Sequence, residues 1–277
     1  MTSAECAMAN QPLRKLRHPR FALLLPILAM LLGCAAVNAG EMRAVDLYSA
    51  NVSVDSRAAG ERRSAARQAL QTVFARISGV ANPASQYPGL GSALGRAERM
   101  VSGYSYQALD DGQLQLQFAF NQAAVRRALE SAGAPWWSAN RPVTEIWLVE
   151  QNGSNKRFVT ASSNPQLYRA LLQQEARVGI PVRVPAEQGD TRLSGNRAWQ
   201  MRDADIIELV SRSNVDAALF GRVEKRGNSW RGQWKRYQHG QISRETIQAR
   251  STQAVASAGL EPLAQSMARR YAVQSNT

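Results

Sequence analysis

"YSYQALDDGQLQLQFAF", residues 104–120, decides what kind of fold this chain makes. Tyr104–Leu109 and Leu114–Phe120 read as strands, with apolar and polar side chains alternating over Tyr104–Ala108 and Leu114–Phe118, the period of a strand with one buried face. Between them stands Asp110-Asp111-Gly112-Gln113, whose Asp-Gly pair suits the positive φ of a tight hairpin turn. A lone hairpin is marginal in water, so the flanking segments must cover its apolar face. Leu47–Val54 (LYSANVSV) alternates in the same way and reads as a third strand. Glu61–Ile77 places Ala66, Leu70, Val73 and Ile77 on one stripe at helical spacing, leaves Arg62, Arg63 and Arg67 to solvent, and is stopped by Gly79. Asn82–Gly91, rich in Pro and Gly, reads as loop, Ser92–Val101 as a second helix, and Gln122–Ala132 as a third with a Gly133 stop. The first half is therefore expected to run β-α-α-β-β-α and to end near residue 133.

Residues 133–142, GAPWWSANRP, have linker punctuation, yet two adjacent tryptophans are costly to leave in water. Trp136, Trp137 and Arg141 are accordingly expected in a packed joint between two halves. The alternative is a ligand site, since an aromatic pair beside a guanidinium can stack a sugar or a peptide. The second half opens with a strand at Glu145–Glu150, a helix at Pro165–Val178 and a short strand near Val182–Val184. A polar stretch, Glu187–Asn196, precedes a helix at Asp203–Ser213. Three strands follow, Ala217–Glu224, Trp230–Tyr237 and Ile242–Arg250, with turns at Gly227-Asn228 and His239-Gly240. Gln253–Ala272 closes the chain as a helix interrupted at Glu261-Pro262. The expected fold class is α+β: two small units, 40–133 and 143–277, joined through 134–142, each with a mixed or antiparallel sheet and helices packed on it.

The N-terminus has the layout of an export signal: Arg14, Lys15, Arg17 and Arg20, then an uncharged run from Phe21 to Leu32, then small residues. That run is too short to cross a bilayer, which takes roughly 20 apolar residues. Leu31-Leu32-Gly33-Cys34 resembles a lipoprotein cleavage box, whereas Val37-Asn38-Ala39 before Gly40 fits the ordinary signal peptidase. The second matches better, because Leu two places before the Cys is a weak fit and Ala39 leads directly into polar sequence. The expectation is a periplasmic protein starting at Gly40, the alternative a lipoprotein anchored at Cys34, with no transmembrane span in the mature chain in either case.

A cut before Gly40 leaves no cysteine, since Cys6 and Cys34 are the chain's two, and His239 as the remaining histidine. Disulfides and thiolate chemistry are then excluded, and a transition-metal site is not expected. No cofactor is implied. The formal charge of +13 falls to +10 on cleavage. Outside the cytoplasm such a surface meets lipid headgroups and cell-wall polymers rather than nucleic acid. Most of the mature chain's basic residues are Arg, a bias that genome composition explains as well as a selected face does.

Catalytic patterns are scarce in the chain. Gly91-Ser92-Ala93-Leu94-Gly95 misses the nucleophile-elbow spacing, and no Ser stands three residues before a Lys. His239 falls in a hairpin turn, where an exposed polar residue is the plain expectation. Asp203, Asp205 and Glu208 are candidate carboxylates for a hydrolase, although Asp203 and Asp205 also suit the positive end of a helix. Between Gly221 and Arg250, the cations Arg222, Lys225, Arg226, Arg231, Lys235, Arg236, Arg244 and Arg250 interleave with Trp230, Trp234 and Tyr237, against Glu224 and Glu245. In a strand, Trp230, Gly232, Trp234 and Arg236 share one face, and Arg231, Gln233, Lys235 and Tyr237 the other. Arg222, Lys225, Arg226, Arg231, Lys235 and Arg236 are thus the candidate polyanion-binding residues; the plain alternative puts the tryptophans in the core and the cations in water.

Leu47-Tyr48, Arg63–Leu70 (RSAARQAL), Arg76-Ile77-Ser78-Gly79, Tyr104-Ser105-Tyr106, Trp137, Arg141-Pro142 and Trp147-Leu148 together resemble an uncharacterised family of exported bacterial proteins, domain of unknown function 2066. The likeness continues into Ala218-Leu219-Phe220-Gly221-Arg222, Trp230, Trp234 and Ala268–Val273 (ARRYAV). It implies export from a Gram-negative-type cell and brings no catalytic residues. The sequence as a whole favours a non-enzymatic accessory or adaptor that binds another envelope protein. A peripheral binder of anionic lipid or cell-wall polymer comes second and a carboxylate-dependent hydrolase third.

Overall fold

The computed structural model describes residues 40–109 and 112–273. The export signal read at 1–39, with its Cys34, and Asp110-Asp111 of the hairpin turn lie outside them.

The hairpin forms β3 (Val101–Ala108) and β4 (Leu114–Phe120), which pair antiparallel. At its turn Gly112 takes φ +80° and donates its N–H to the Leu109 carbonyl at 2.9 Å. β2 (Ser49–Val54) adds to the other side of β4, giving a three-stranded sheet in the order β2-β4-β3. The inward residues of this sheet, among them Val52, Val54, Leu116, Phe118 and Phe120, meet α1 (Ala59–Ser78) through Ala66, Ala69, Leu70, Val73, Phe74 and Ile77. The helix starts where Glu61 reaches back to the Asp55 amide and the Ser56 hydroxyl, both at 2.5 Å. It ends at Gly79, which sits at φ +69° and whose hydrogen leaves room for Ala268; a Cβ there would come within 2.1 Å of the Ala268 Cβ.

The loop expected at Asn82–Gly91 instead contains α2 (Pro83–Gln86) and the start of α3 (Leu90–Gly95). Pro83 presets the first helical φ, and Leu90 is fully buried, which anchors the second. The helix expected over Ser92–Val101 stops at Gly95, a single 3-10 turn covers Ala97–Met100, and Val101 already pairs with Phe120. α4 (Gln122–Ser131) closes the half; Asn121 caps it by accepting from the Ala124 amide at 2.9 Å, and Val125 and Leu129 enter the core.

The second half is built on six strands in the order β11-β10-β9-β6-β7, with β8 (Val182–Arg183) also beside β6. β6 (Thr144–Asn152) runs parallel to β8 and β9 (Ala217–Arg226), while β7 (Asn155–Phe158), β10 (Ser229–Gln238) and β11 (Gln241–Ala249) pair antiparallel. One face, with Ile146, Leu148, Leu219, Val223, Trp230 and Trp234, packs against α5 (Pro165–Val178) and α8 (Thr252–Tyr271). The opposite face, with Trp147, Val149, Ala218 and Phe220, packs against α6 (Gly195–Gln200) and α7 (Asp203–Ser211). The fold is α+β, with mixed and antiparallel sheets. α8 is not broken at Pro262. One backbone bond is lost there, but Leu260, Leu263, Ala264 and Met267 remain buried along one side and hold the helix together. Short elements escaped the periodicity: β7, α6, and the pair β1 (Met42–Ala44) with β5 (Asn140–Pro142).

Candidate functional site

The joint residues split between two cores. Trp136 packs with the first-half core and Trp137 with the second. Trp136 lies under the Arg126 guanidinium at 5.0 Å and pairs its backbone with Val273, while Trp137 is buried and stacks on Tyr271 at 6.2 Å. Arg141 is fully buried 4.0 Å from the centre of the Trp137 ring. It donates five N–H bonds: Nε to the Ser138 carbonyl, Nη1 to Val178 and Gly179, and Nη2 to Arg76 and Trp137, at 2.7 to 3.3 Å. Arg76 and Val178 stand in the last turns of α1 and α5, where carbonyls lack helical partners and the dipole is negative. One cation thereby caps a helix end from each half. Burial, with Arg76 beside it, pulls the Arg141 guanidinium down to about 9.

The six candidate polyanion-binding cations do not form one face. Arg222, Arg226, Arg231 and Lys235 project to the α6–α7 side, and Lys225 and Arg236 to the side of Trp230 and Trp234. Lys235 is buried, its ammonium spent on the Met201 carbonyl and on Asp203. Arg226 pairs with Glu224 at 2.9 Å, Lys225 lies over Trp230, and burial lowers the half-buried Arg236. Arg231 is exposed and unpaired among the described residues. Arg222 donates to the Trp199 carbonyl at 3.2 Å, and Trp199 has Lys156 near its ring as well. Trp199 escaped the sequence reading because it falls in the gap between the polar stretch ending at Asn196 and the helix expected from Asp203.

The candidate carboxylates are occupied. Asp203 meets Lys235 and Arg244, and Asp205 meets Arg197 and Arg202; hydrogen bonds from Lys235 and Arg202 respectively lead in holding each below the ordinary carboxylate range. Glu208 pairs with Arg212 at 2.9 Å. His239 sits in the β10–β11 turn at φ +49°. Among the described residues no group of three or more His, Cys, Asp or Glu side chains is placed to hold a metal ion, and no helix is long and apolar enough to cross a membrane.

A cleft of about 710 Å³ that no sequence pattern announced lies between α5 and the β2–β4 part of the outer face of the β2-β4-β3 sheet, with Thr72 and Arg76 of α1 also lining it. The cross-strand rows of that face are Ser49, Ala119 and Gly103; Asn51, Gln117 and Ser105; and Ser53, Gln115 and Gln107. None of the nine carries a charge. β2 is an edge strand. The Phe120 amide donates to the Tyr48 carbonyl, so by antiparallel alternation Ser49, Asn51 and Ser53 turn their main-chain groups outward. Ser49 uses both, its N–H on Asp46 and its carbonyl on Arg76 Nη1 at 2.7 Å. Asn51 and Ser53 have no partner for theirs among the described residues.

Arg76 lines the cleft and is only 7 % exposed. Its Nη1 also donates to the Asp46 carbonyl at 2.7 Å, but Nε is buried without a partner and Nη2 makes no hydrogen bond among the described residues. Burial lowers its affinity for a proton, with nearby Asp46 acting against that. Burial pushes Asp46 up, yet bonds from the Ser49 hydroxyl and the Tyr48 and Ser49 amides, with Arg76 near, outweigh it and hold the carboxyl below its ordinary range. On the opposite wall burial pushes Glu175 up, opposed by the Val182 amide and by Arg43. The arrangement offers neutral hydrogen-bonding groups, an open strand edge and one buried cation with unused donors.

Residues 42–138, β1 through Ser138, match the profile of a family described as a domain of unknown function, DUF8605. The match is consistent with an uncharacterised family, as the resemblance implies, and it is to this profile rather than to domain of unknown function 2066 specifically. No curated protein and no solved structure matches the chain.

Proposed function

We propose that this chain is an exported, periplasmic accessory protein that binds another envelope protein without turning over a substrate, using the cleft between β2–β4 and α5. The observation that carries this reading is the wall of the cleft: an uncharged sheet face ending at a strand edge where Asn51 and Ser53 have unpaired main-chain groups. Proteins usually blunt such an edge with charge, proline or a cover, and an open one suits strand addition by a partner. The layout of residues 14–39 supports export, with the lipidated Cys34 form as the alternative. The resemblance to domain of unknown function 2066 supports the same compartment, and it reaches residues beyond 138 that the family profile does not cover. A division into units 40–133 and 143–277, welded at 134–142, fits the separate sheets and cores.

In-cell crosslinking followed by purification from the envelope fraction in high salt tests the reading. The expected result is one reproducible protein partner; a clean protein carrying only lipid or glycan overturns it. A second reading, binding of anionic lipid or wall polymer, has its own support in Arg222 and Lys156 around Trp199 and in exposed Arg231 on the same face of the sheet as Arg222. Its signature is affinity for anionic vesicles that falls steeply with salt and is lost on Arg231→Gln with Lys156→Gln. The hydrolase reading has the least support, because two cations each hold Asp203 and Asp205 ionised.

A further inference from the structure

Building on the adaptor reading above, we infer that the cleft takes an extended peptide of the partner, added as a strand along the open edge of β2, with a carboxylate of that peptide bound by Arg76. Main-chain pairing follows from the edge. Asn51 and Ser53 each present one free N–H and one free carbonyl, the spacing at which an added strand bonds alternate residues. A lipid headgroup or glycan has no matching ladder of donors and acceptors.

The carboxylate follows from the position and state of Arg76. Its Nη1 bonds the carbonyl of Ser49, the next outward-facing residue along the same edge, so the guanidinium stands where a strand running past Asn51 arrives. Two residues along a strand cover about 7 Å, which puts this group within side-chain reach of the ladder. Arg76 is 7 % exposed, has no acidic side chain bonded to it, and leaves Nη2 and Nε without acceptors. A buried cation with unused donors favours an anion, and a carboxylate accepts from such a fork more strongly than a neutral carbonyl does. Arg43 and Arg177 also line the cleft; their pairs with Glu41 and Glu261, at 3.5 and 3.6 Å, are largely exposed and weak, and Arg43 faces Glu175 besides, so both cations still add attraction for an acidic segment.

A photo-crosslinking residue at Ser53 in the full chain, expressed in its own host, reads out the occupant once the crosslinked peptide is mapped by mass spectrometry. The expected product is one segment with an Asp, a Glu or a C-terminal carboxylate within about three residues of the crosslink. Asn51→Pro removes one outward N–H on an edge strand, where proline is tolerated, and should abolish the product. Arg76→Gln should reduce it about tenfold or more, the value of one charge-assisted contact. Melting curves establish that both variants fold; if Arg76→Gln does not, Arg43→Gln with Arg177→Gln takes its place and should weaken the product less. A segment without a carboxylate, or a yield indifferent to both changes, overturns the inference and leaves the adaptor standing. So does capture of a protein from position 231 but not from 53. Capture from neither position overturns both.

Discussion

Arg141 ties the joint to both halves. Its five donors meet five carbonyls drawn from the joint and from the ends of α1 and α5. Arg141→Met should lower unfolding free energy by about 3 kcal/mol or more, because the buried carbonyls lose their donors, and Arg141→Lys should recover only part, having no planar fork. Chemical denaturation measures both. Asp46 sets a pH effect with a definite sign. Its folded pKa lies below the ordinary value of about 3.9, so it contributes stability that is present above that pH and is lost as pH falls through the lower folded value. Denaturation midpoints at about pH 6 and about pH 3 should therefore differ less in Asp46→Asn than in the parent protein. The tryptophans of the joint were legible from the sequence because two adjacent indoles must be buried somewhere. Arg76 was not: its environment is made by Asp46 and Ser49, 30 and 27 residues away, and nothing local marks a cation whose solvent will be taken away by tertiary contacts.

At the scale of elements, legibility tracked length and periodicity. α1, β4 and the β9–β11 meander are long enough for their pattern to declare them, whereas the three-residue β1 and β5 exist because each supplies the other's hydrogen bonds. Pro262 shows the opposite failure, a strong local signal overridden by the buried side of α8. Pro262→Ala should restore one backbone bond and raise stability by about 1 to 3 kcal/mol, read as a higher melting temperature. Gly259 on the same helix lets the Trp234 ring approach: a Cβ there would stand 2.7 Å from the ring, and Gly221 flanks the same indole from β9. Gly259→Ala should then cost about 1 to 3 kcal/mol despite alanine's better helix propensity, and a stabilised variant would refute this packing. The cleft belongs to this scale too. Each of its walls was anticipated as a strand or a helix, but their juxtaposition depends on the path of the chain between them.

Across the whole molecule, two cores meet through Trp136, Trp137 and Arg141, and the halves should therefore unfold together. A single calorimetric transition is expected for the parent protein. Trp137→Ala should lower its midpoint, since truncating a buried tryptophan costs about 3 to 5 kcal/mol, and should separate the halves into two transitions. Full stability with lost binding would instead make the tryptophan a ligand contact. The five-carbonyl plug also bears on the order in which the chain comes into being. A polypeptide emerges from its N-terminus, and α1 is complete a hundred residues before Gly179, the last of the Arg141 partners. From about residue 133 until Gly179 has emerged, the first half is built but open at one helix end. A fragment that stops at Ser138, where the family profile stops, would stay in that unfinished condition, lacking both β5 and Arg141. One extended to Val143 regains β1's pairing strand and the Arg141 bonds to Arg76, Trp137 and Ser138. Hydrogen exchange in the last turn of α1 should be slower in the longer fragment, and the five added residues would mark where the first half becomes self-supporting.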